Sequence, residues 1–282
     1  MNYSYYFCKW FYSVTMIEKD IAQDISLVIT TYNRPDSLEL VLKSVLLQKV
    51  LPCEVIIADD GSGDETKRII DKYKTLLPVP LIHSWIEDKG YRLSMSRNVA
   101  IAQAHGSYIL QLDGDVVILP SFIKDHALLA QRGCFVTGDR AYLTEKATIR
   151  HTKKLNTKIT PLTWGLIRPL KLFHLPCLNR LFRGHSGLHK VRGCHMAFFK
   201  DDFIRVNGYE ENFFGWGSED LELVQRFYHI GLKRKHTKAM ACCVHLYHKM
   251  ESKKYAKRNA DLLQDTIVSK RIRAQKGVDQ YL

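Results

Sequence analysis

Residues 25–60 read ISLVITTYNRPDSLELVLKSVLLQKVLPCEVIIADD, and this stretch decides the fold. It opens on the apolar, β-branched run ISLVIT, which predicts a buried strand at 25–30. Pro35 then begins a 3.6-residue pattern, with Leu38, Val41, Leu42, Val45 and Leu46 on one stripe, so a helix is expected over 35–48 with proline in its first turn. EVIIAD at 54–59 is a second buried strand. Two β-branched strands joined by one amphipathic helix form the unit of a parallel sheet.

The alternation continues outward. A helix is expected over 64–76, a strand at PLIHSW (80–85), a helix over 94–104, a strand at SYILQLD (107–113) and another helix from Pro120. After a basic interval, CHMAFF (194–199) reads as a strand, 200–208 as a short helix ending at Gly208, and 219–230 as a helix closed by Gly231. MACCVHLYH (240–248) reads as a last strand. The expected class is α/β, a doubly wound and mostly parallel sheet. Ligands of such sheets sit beyond the carboxyl ends of the strands. Those ends carry TTYNRP, DDGSGDE, IEDKGYR and DGDVV.

The bulk numbers fit one large domain or two intimate ones. The chain has 282 residues, 46% hydrophobic and 25% charged, with a formal net charge of +13. That surface attracts anions such as nucleic acid, an acidic membrane face or phosphorylated substrates. Helix-turn-helix, zinc and RNA-binding signatures are missing, so no nucleic-acid partner is expected. Seven cysteines with no Cys-x-x-Cys pair suit a reduced cytosolic compartment. Residues 1–23 form an aromatic N-terminal extension containing Lys9, too short and polar for a spanning helix. It reads either as an interfacial anchor or as sequence ahead of a true start at Met16.

Between residues 146 and 200 there is no acid, against twelve Lys or Arg. Bulky apolar residues are interleaved with Arg168, Lys171, Arg180 and Arg183. We expect 146–190 to be a basic apolar insertion at an anionic membrane surface, the alternative being an insertion whose apolar residues join the core. The protein is then expected in the cytoplasm, peripheral at the inner face of the membrane.

Three places carry chemistry. Asp113 and Asp115 bracket Gly114 at a strand end, where two carboxylates can approach one Mg²⁺ or Mn²⁺ and its phosphate ligands. Asp59 and Asp60 follow a strand beside Gly61 and Gly63, which let backbone approach a ligand; Asp64 reads as a helix cap. Glu219 and Asp220 follow Trp216, Gly217 and Ser218, a helix start with two acids at its favourable end.

SLVITTYNRPDSL, VIIADDGSGDET, GYRLSMSRNVAIAQAHGSYILQLDGDVV and NGYEENFFGWGSEDLELVQRF together resemble a family 2 glycosyltransferase of the GT-A fold. The last is similar to the C-terminal galactosyltransferase-type region of chondroitin polymerase, polypeptide N-acetylgalactosaminyltransferases and animal β-1,4-galactosyltransferases. The resemblance covers about 24–145 and 190–250. It implies a nucleotide-sugar-binding half at 24–145 and an acceptor half at 191–250; outside it, 251–282 is expected to be a C-terminal helical tail.

By the same resemblance, Thr31, Tyr32 and Arg34 border the nucleotide, Asp60 reads the uracil and Arg92 faces the nucleotide or diphosphate. Asp113 and Asp115 match the metal-binding Asp-x-Asp, with Asp115 the direct ligand. Asp220 is the base toward the acceptor, Glu219 holds sugar hydroxyls and Trp216 walls the acceptor side. His245 and His248 are candidate ligands for Mn²⁺ or Mg²⁺, with the choice between them open. Leu221 departs from the acidic run of the β-1,4-galactosyltransferases, so acceptor identity does not carry over. The expected activity is inverting, metal-dependent transfer of a hexose or N-acetylhexosamine from a UDP-sugar to a glycan or lipid-linked glycan in cell-surface polysaccharide or lipopolysaccharide biosynthesis. A nucleotidyltransferase, or a basic nucleic-acid- or membrane-binding protein without catalysis, is the alternative.

Overall fold

The computed structural model describes residues 24–179, 187–249 and 252–282. The N-terminal extension, Arg180 and Arg183 lie outside the described residues. In chain order the strands are β1 (Ile25–Thr31), β2 (Glu54–Asp59), β3 (Leu81–Trp85), β4 (Tyr108–Asp113), β5 (Val116–Ile118) and β6 (Cys134–Thr137), then β7 (Ala141–Leu143), β8 (Leu166–Ile167), β9 (His195–Phe199), β10 (Lys233–His236) and β11 (Cys243–His245). The main sheet runs β10-β6-β9-β4-β1-β2-β3, and only β9 is antiparallel to its neighbours. The second runs β5-β11-β7-β8.

Every residue of β1 is buried. Ile25, Leu27 and Ile29 face one core, with Leu38, Val41 and Val45 of the helix Pro35–Leu46. Val28 faces the other, with Ala100 and Ile101 of the helix Leu93–Ala102 and Leu223, Val224 and Phe227 of the helix Glu219–His229. A strand covered on both faces is therefore apolar throughout instead of alternating with polar residues.

Several boundaries differ from expectation. The first helix stops at Leu46, because the Gln48 amide turns back to the Val45 carbonyl and its side chain binds the Leu119 carbonyl at 2.9 Å. The last strand is only Cys243–His245, since positive φ at Ala239 and Ala241 breaks extended backbone on its N-terminal side. On its other side the Tyr247 amide bonds the Thr148 hydroxyl. The basic interval is neither wholly core nor wholly surface. Ala147, Thr148 and His151 of the helix Glu145–Lys153 are buried, β8 pairs with β7, and Ile159 and Leu172 enter the core, while most of 167–178 is exposed.

The C-terminal helix Ala256–Val268 packs on Glu219–His229, where the Thr266 hydroxyl donates to Glu222 Oε1 at 3.0 Å. Among the described residues no helix is long and apolar enough to cross a membrane, and the six cysteines there are free.

Candidate active site

Register sets the site. Thr31 of β1 lies beside Asp59 of β2, and Thr30 lies beside Asp113 of β4. The carboxyl ends of three adjacent parallel strands thus bring Thr31, Asp60 and the 113–115 turn to one edge. Gly114 makes the turn possible: its amide donates to the Thr30 carbonyl at 2.7 Å, and a Cβ there would lie 2.4 Å from that oxygen.

At the β2 end, Asp60 is buried. Its Oδ2 accepts the Arg92 amide at 2.7 Å, whereas Oδ1 has no partner. Burial pushes its carboxyl up to about 6, against the pull of the Arg92 amide and charge. Thr31 Oγ1 is also buried and unpartnered. Two unsatisfied polar atoms at one sheet edge are costly unless a ligand meets them. Tyr32 stands half-exposed beside them, and its hydroxyl donates to Asp88 at 3.1 Å.

The two arginines expected to border the nucleotide take different partners. The Arg92 guanidinium donates to the Glu87 carbonyl, so only its backbone touches Asp60. Arg34 turns to the second sheet, with Nη1 3.2 Å from Asp115 Oδ2 and Nη2 3.3 Å from the Tyr247 carbonyl.

Asp115 meets the second sheet because β11 pairs with β5, setting His245 opposite Val116, and because the Leu246 amide donates to the Asp115 carbonyl at 2.8 Å. Nε2 of His245 lies 3.5 Å from Asp115 Oδ1, and Nε2 of His248 lies 3.4 Å from Oδ2. The three ligand atoms fall within 4.8 Å of one another. Burial holds the His245 imidazole below its usual value, hence neutral, as a ligand must be. Asp115 Oδ1 has no hydrogen-bond partner. One carboxylate and two imidazoles are a nitrogen and oxygen donor set that fits a divalent cation.

Asp113 faces the other way. Its Oδ1 accepts the Thr30 hydroxyl at 3.0 Å and Nη2 of Arg97 at 3.1 Å. Arg97 is fully buried in the helix Leu93–Ala102, lies over the Tyr209 ring at 5.0 Å, and donates through Nη1 to Glu219 Oε1 at 3.3 Å. One guanidinium therefore joins the strand-end aspartate to the acid pair. Asp220 is held by backbone: Oδ2 accepts the Gly193 amide at 2.7 Å and Oδ1 the Leu221 amide at 2.8 Å. Burial pushes both carboxyls up. The Asp220 charge raises Glu219 further and the Asp113 charge raises both, while Arg97 opposes the rise in each.

The helix start is not built as its sequence suggests. Ser218 is in the left-handed region, with φ 69°, and makes no side-chain cap. Trp216 is exposed on the preceding loop, whose Phe214 carbonyl accepts Asn259 Nδ2 at 2.9 Å. Arg97, Gly193 and Asn259 escaped the sequence reading. A charge on a stripe shared with Ser94, Ala100 and Ile101 was the available signal for Arg97.

The site thus has unpartnered acceptors at one end, a candidate cation cluster at the Asp115 turn, and an acid pair joined to that turn through Arg97. The model of glycosyl transferase family 2 matches residues 26–204, and that described as the N-terminal domain of galactosyltransferase matches 174–249. The chondroitin synthase of Escherichia coli is 28% identical over 234 residues, 75% of this chain; the chain spans about a third of that synthase's own length (33%).

Staphylococcus aureus TarS 1–349 in complex with UDP-GlcNAc superposes with a TM-score of 0.60 at 18% identity, covering 92% of this chain and 69% of that one. The mannosyltransferase PcManGT of Pyrobaculum calidifontis, in complex with GDP-Man and Mn²⁺, does so with 0.56 at 17%, covering 96% and 72%. The fold is GT-A, and with most of its length matched by the family model, the chain belongs to glycosyl transferase family 2.

Proposed function

We propose that this protein transfers a hexose or N-acetylhexosamine from a UDP-sugar to a glycan or lipid-linked glycan, inverting the anomeric carbon. The 113–115 turn carries the reading. Its two aspartates point to opposite partners, one to the histidine cluster and one through Arg97 to the acid pair. A donor's diphosphate and its reacting sugar need those two environments side by side.

Asp60 Oδ1 and Thr31 Oγ1 are the acceptors offered to the uracil ring. Asp115, His245 and His248 would hold Mn²⁺ or Mg²⁺, which when bound supplies Lewis acidity at the departing diphosphate. Asp220 takes the proton of the acceptor hydroxyl as that oxygen bonds the anomeric carbon and the bond to diphosphate breaks. Two backbone amides fix the carboxylate's direction, and each of its oxygens keeps a second lone pair for the incoming O–H. Burial keeps its affinity for that proton high. Glu219, anchored by Arg97, would bind sugar hydroxyls, with Trp216 as a wall on the acceptor side.

A screen of UDP-sugars for transfer or slow hydrolysis, with and without chelator, tests the reading. One sugar should be consumed, and chelator should stop the reaction. Turnover undiminished in chelator sinks the metal assignment, and release of pyrophosphate from a nucleoside triphosphate sinks the transferase reading.

A further inference from the structure

We propose that residues 158–178 form a surface that docks on a lipid bilayer carrying anionic headgroups. Within this short stretch Leu162, Trp164, Ile167, Leu170, Phe173 and Leu175 are all exposed; Leu162 is 94% exposed and Leu170 77%. Large apolar side chains left exposed this densely along one short stretch mark an interaction site.

The stretch is held in place. The Thr144 amide bonds the Gly165 carbonyl, His174 pairs with buried Asp125 at 2.8 Å, the Leu175 amide bonds the Ala239 carbonyl, and Asn179 bonds the His236 and Lys238 carbonyls. With buried Leu172 beneath it, the apolar side chains are presented by anchored backbone.

Charge decides the occupant. Residues 146–200 contain no acid and twelve basic residues, and Lys153, Lys154, Lys158 and Arg168 are exposed. A two-fold contact with a second copy would set this basic patch against itself. An anionic bilayer accepts both components, headgroups taking the lysines and the interface taking the rings and leucines. The surface also lies close to the site. Arg168 adopts left-handed backbone, φ 60°, directly before Pro169, a conformation disfavoured on both counts. There its guanidinium lies 5.4 Å from the centroid of the Tyr142 ring, which packs 5.7 Å from His245. A membrane under this face lies close to the cation-binding cluster, as a lipid-linked substrate requires.

The test is sedimentation of the purified chain with phosphatidylcholine vesicles and with vesicles that also contain phosphatidylglycerol. It needs no donor, so its failure leaves the transferase reading standing. Binding is expected only to the mixed vesicles. Salt should weaken it by about fivefold for each Lys or Arg that it screens from the headgroups. The triple variant Leu162→Ala, Trp164→Ala, Leu170→Ala should partition at least about tenfold less, with consumption of soluble donor unchanged. Binding equal on both vesicle types, no binding, or an unaffected triple variant overturns the proposal. So does a wild-type dimer that the triple variant converts to monomer.

Discussion

Replacing Arg97 by glutamine should disturb folding and chemistry together, in amounts the geometry bounds. The guanidinium is 1% exposed and touches two carboxylates, at 3.1 Å and 3.3 Å. At an effective dielectric of about 20, each contact is worth on the order of 4 kcal/mol before the desolvation cost of the guanidinium. Removing one partner from such a buried network leaves uncompensated charge and typically costs about 3–5 kcal/mol. In a chain of this size that lowers the melting temperature by roughly 5–8 °C.

The second effect is on the acid pair. Arg97 is the cation that holds Glu219 and Asp220 down against burial. Without it both bind protons more tightly, so the acidic limb of the pH–rate profile should move up by about 1–3 pH units. Urea denaturation measures the first quantity, and donor consumption against pH the second. Arg97→Lys guards against a glutamine variant that does not fold: it keeps the charge but not the planar fork, and should show a smaller shift of the same sign. A variant with the wild-type denaturation midpoint and a superimposable pH profile would refute the reasoning.

Asp220→Asn should leave donor binding near wild type while transfer falls about 10²–10⁴-fold. Because Asn has a single acceptor oxygen, the Gly193 or Leu221 amide is left without its acceptor, at a further cost of about 1–3 kcal/mol in unfolding experiments. Near-normal turnover removes Asp220 as base. UDP affinity should be highest well above pH 6 and weaken as pH falls through it, because an ionised Asp60 accepts the uracil N–H more strongly than the neutral acid does and burial sets its carboxyl at about 6. Calorimetric titration of UDP across that range measures this, and Asp60→Asn should flatten the curve. A flat wild-type curve moves the uracil elsewhere.

How far the sequence could be read varies by element. Strands and helices up to residue 113 were legible because each buries its own apolar period locally, and the acids fell where parallel strands end. The direction of Arg92 and Arg34 was not legible. Both follow a strand, but long side chains go to whichever carbonyl or carboxylate the fold brings near, here Glu87 for one and Asp115 for the other. Ser218 has the composition of a cap, yet its left-handed backbone removes the geometry a cap needs.

Local pattern by itself determined the parallel α/β frame and the candidate acids, because apolar periodicity and strand-end polarity are properties of short stretches of chain. Only the tertiary structure decided which of those acids act together. Asp115 meets His245 because β11 pairs with β5 in one register, and Asp113 meets Glu219 because Arg97 is buried between them. Pairing between segments far apart in sequence is set by how both pack on the common core, and a one-residue slip would turn His245 away from Asp115.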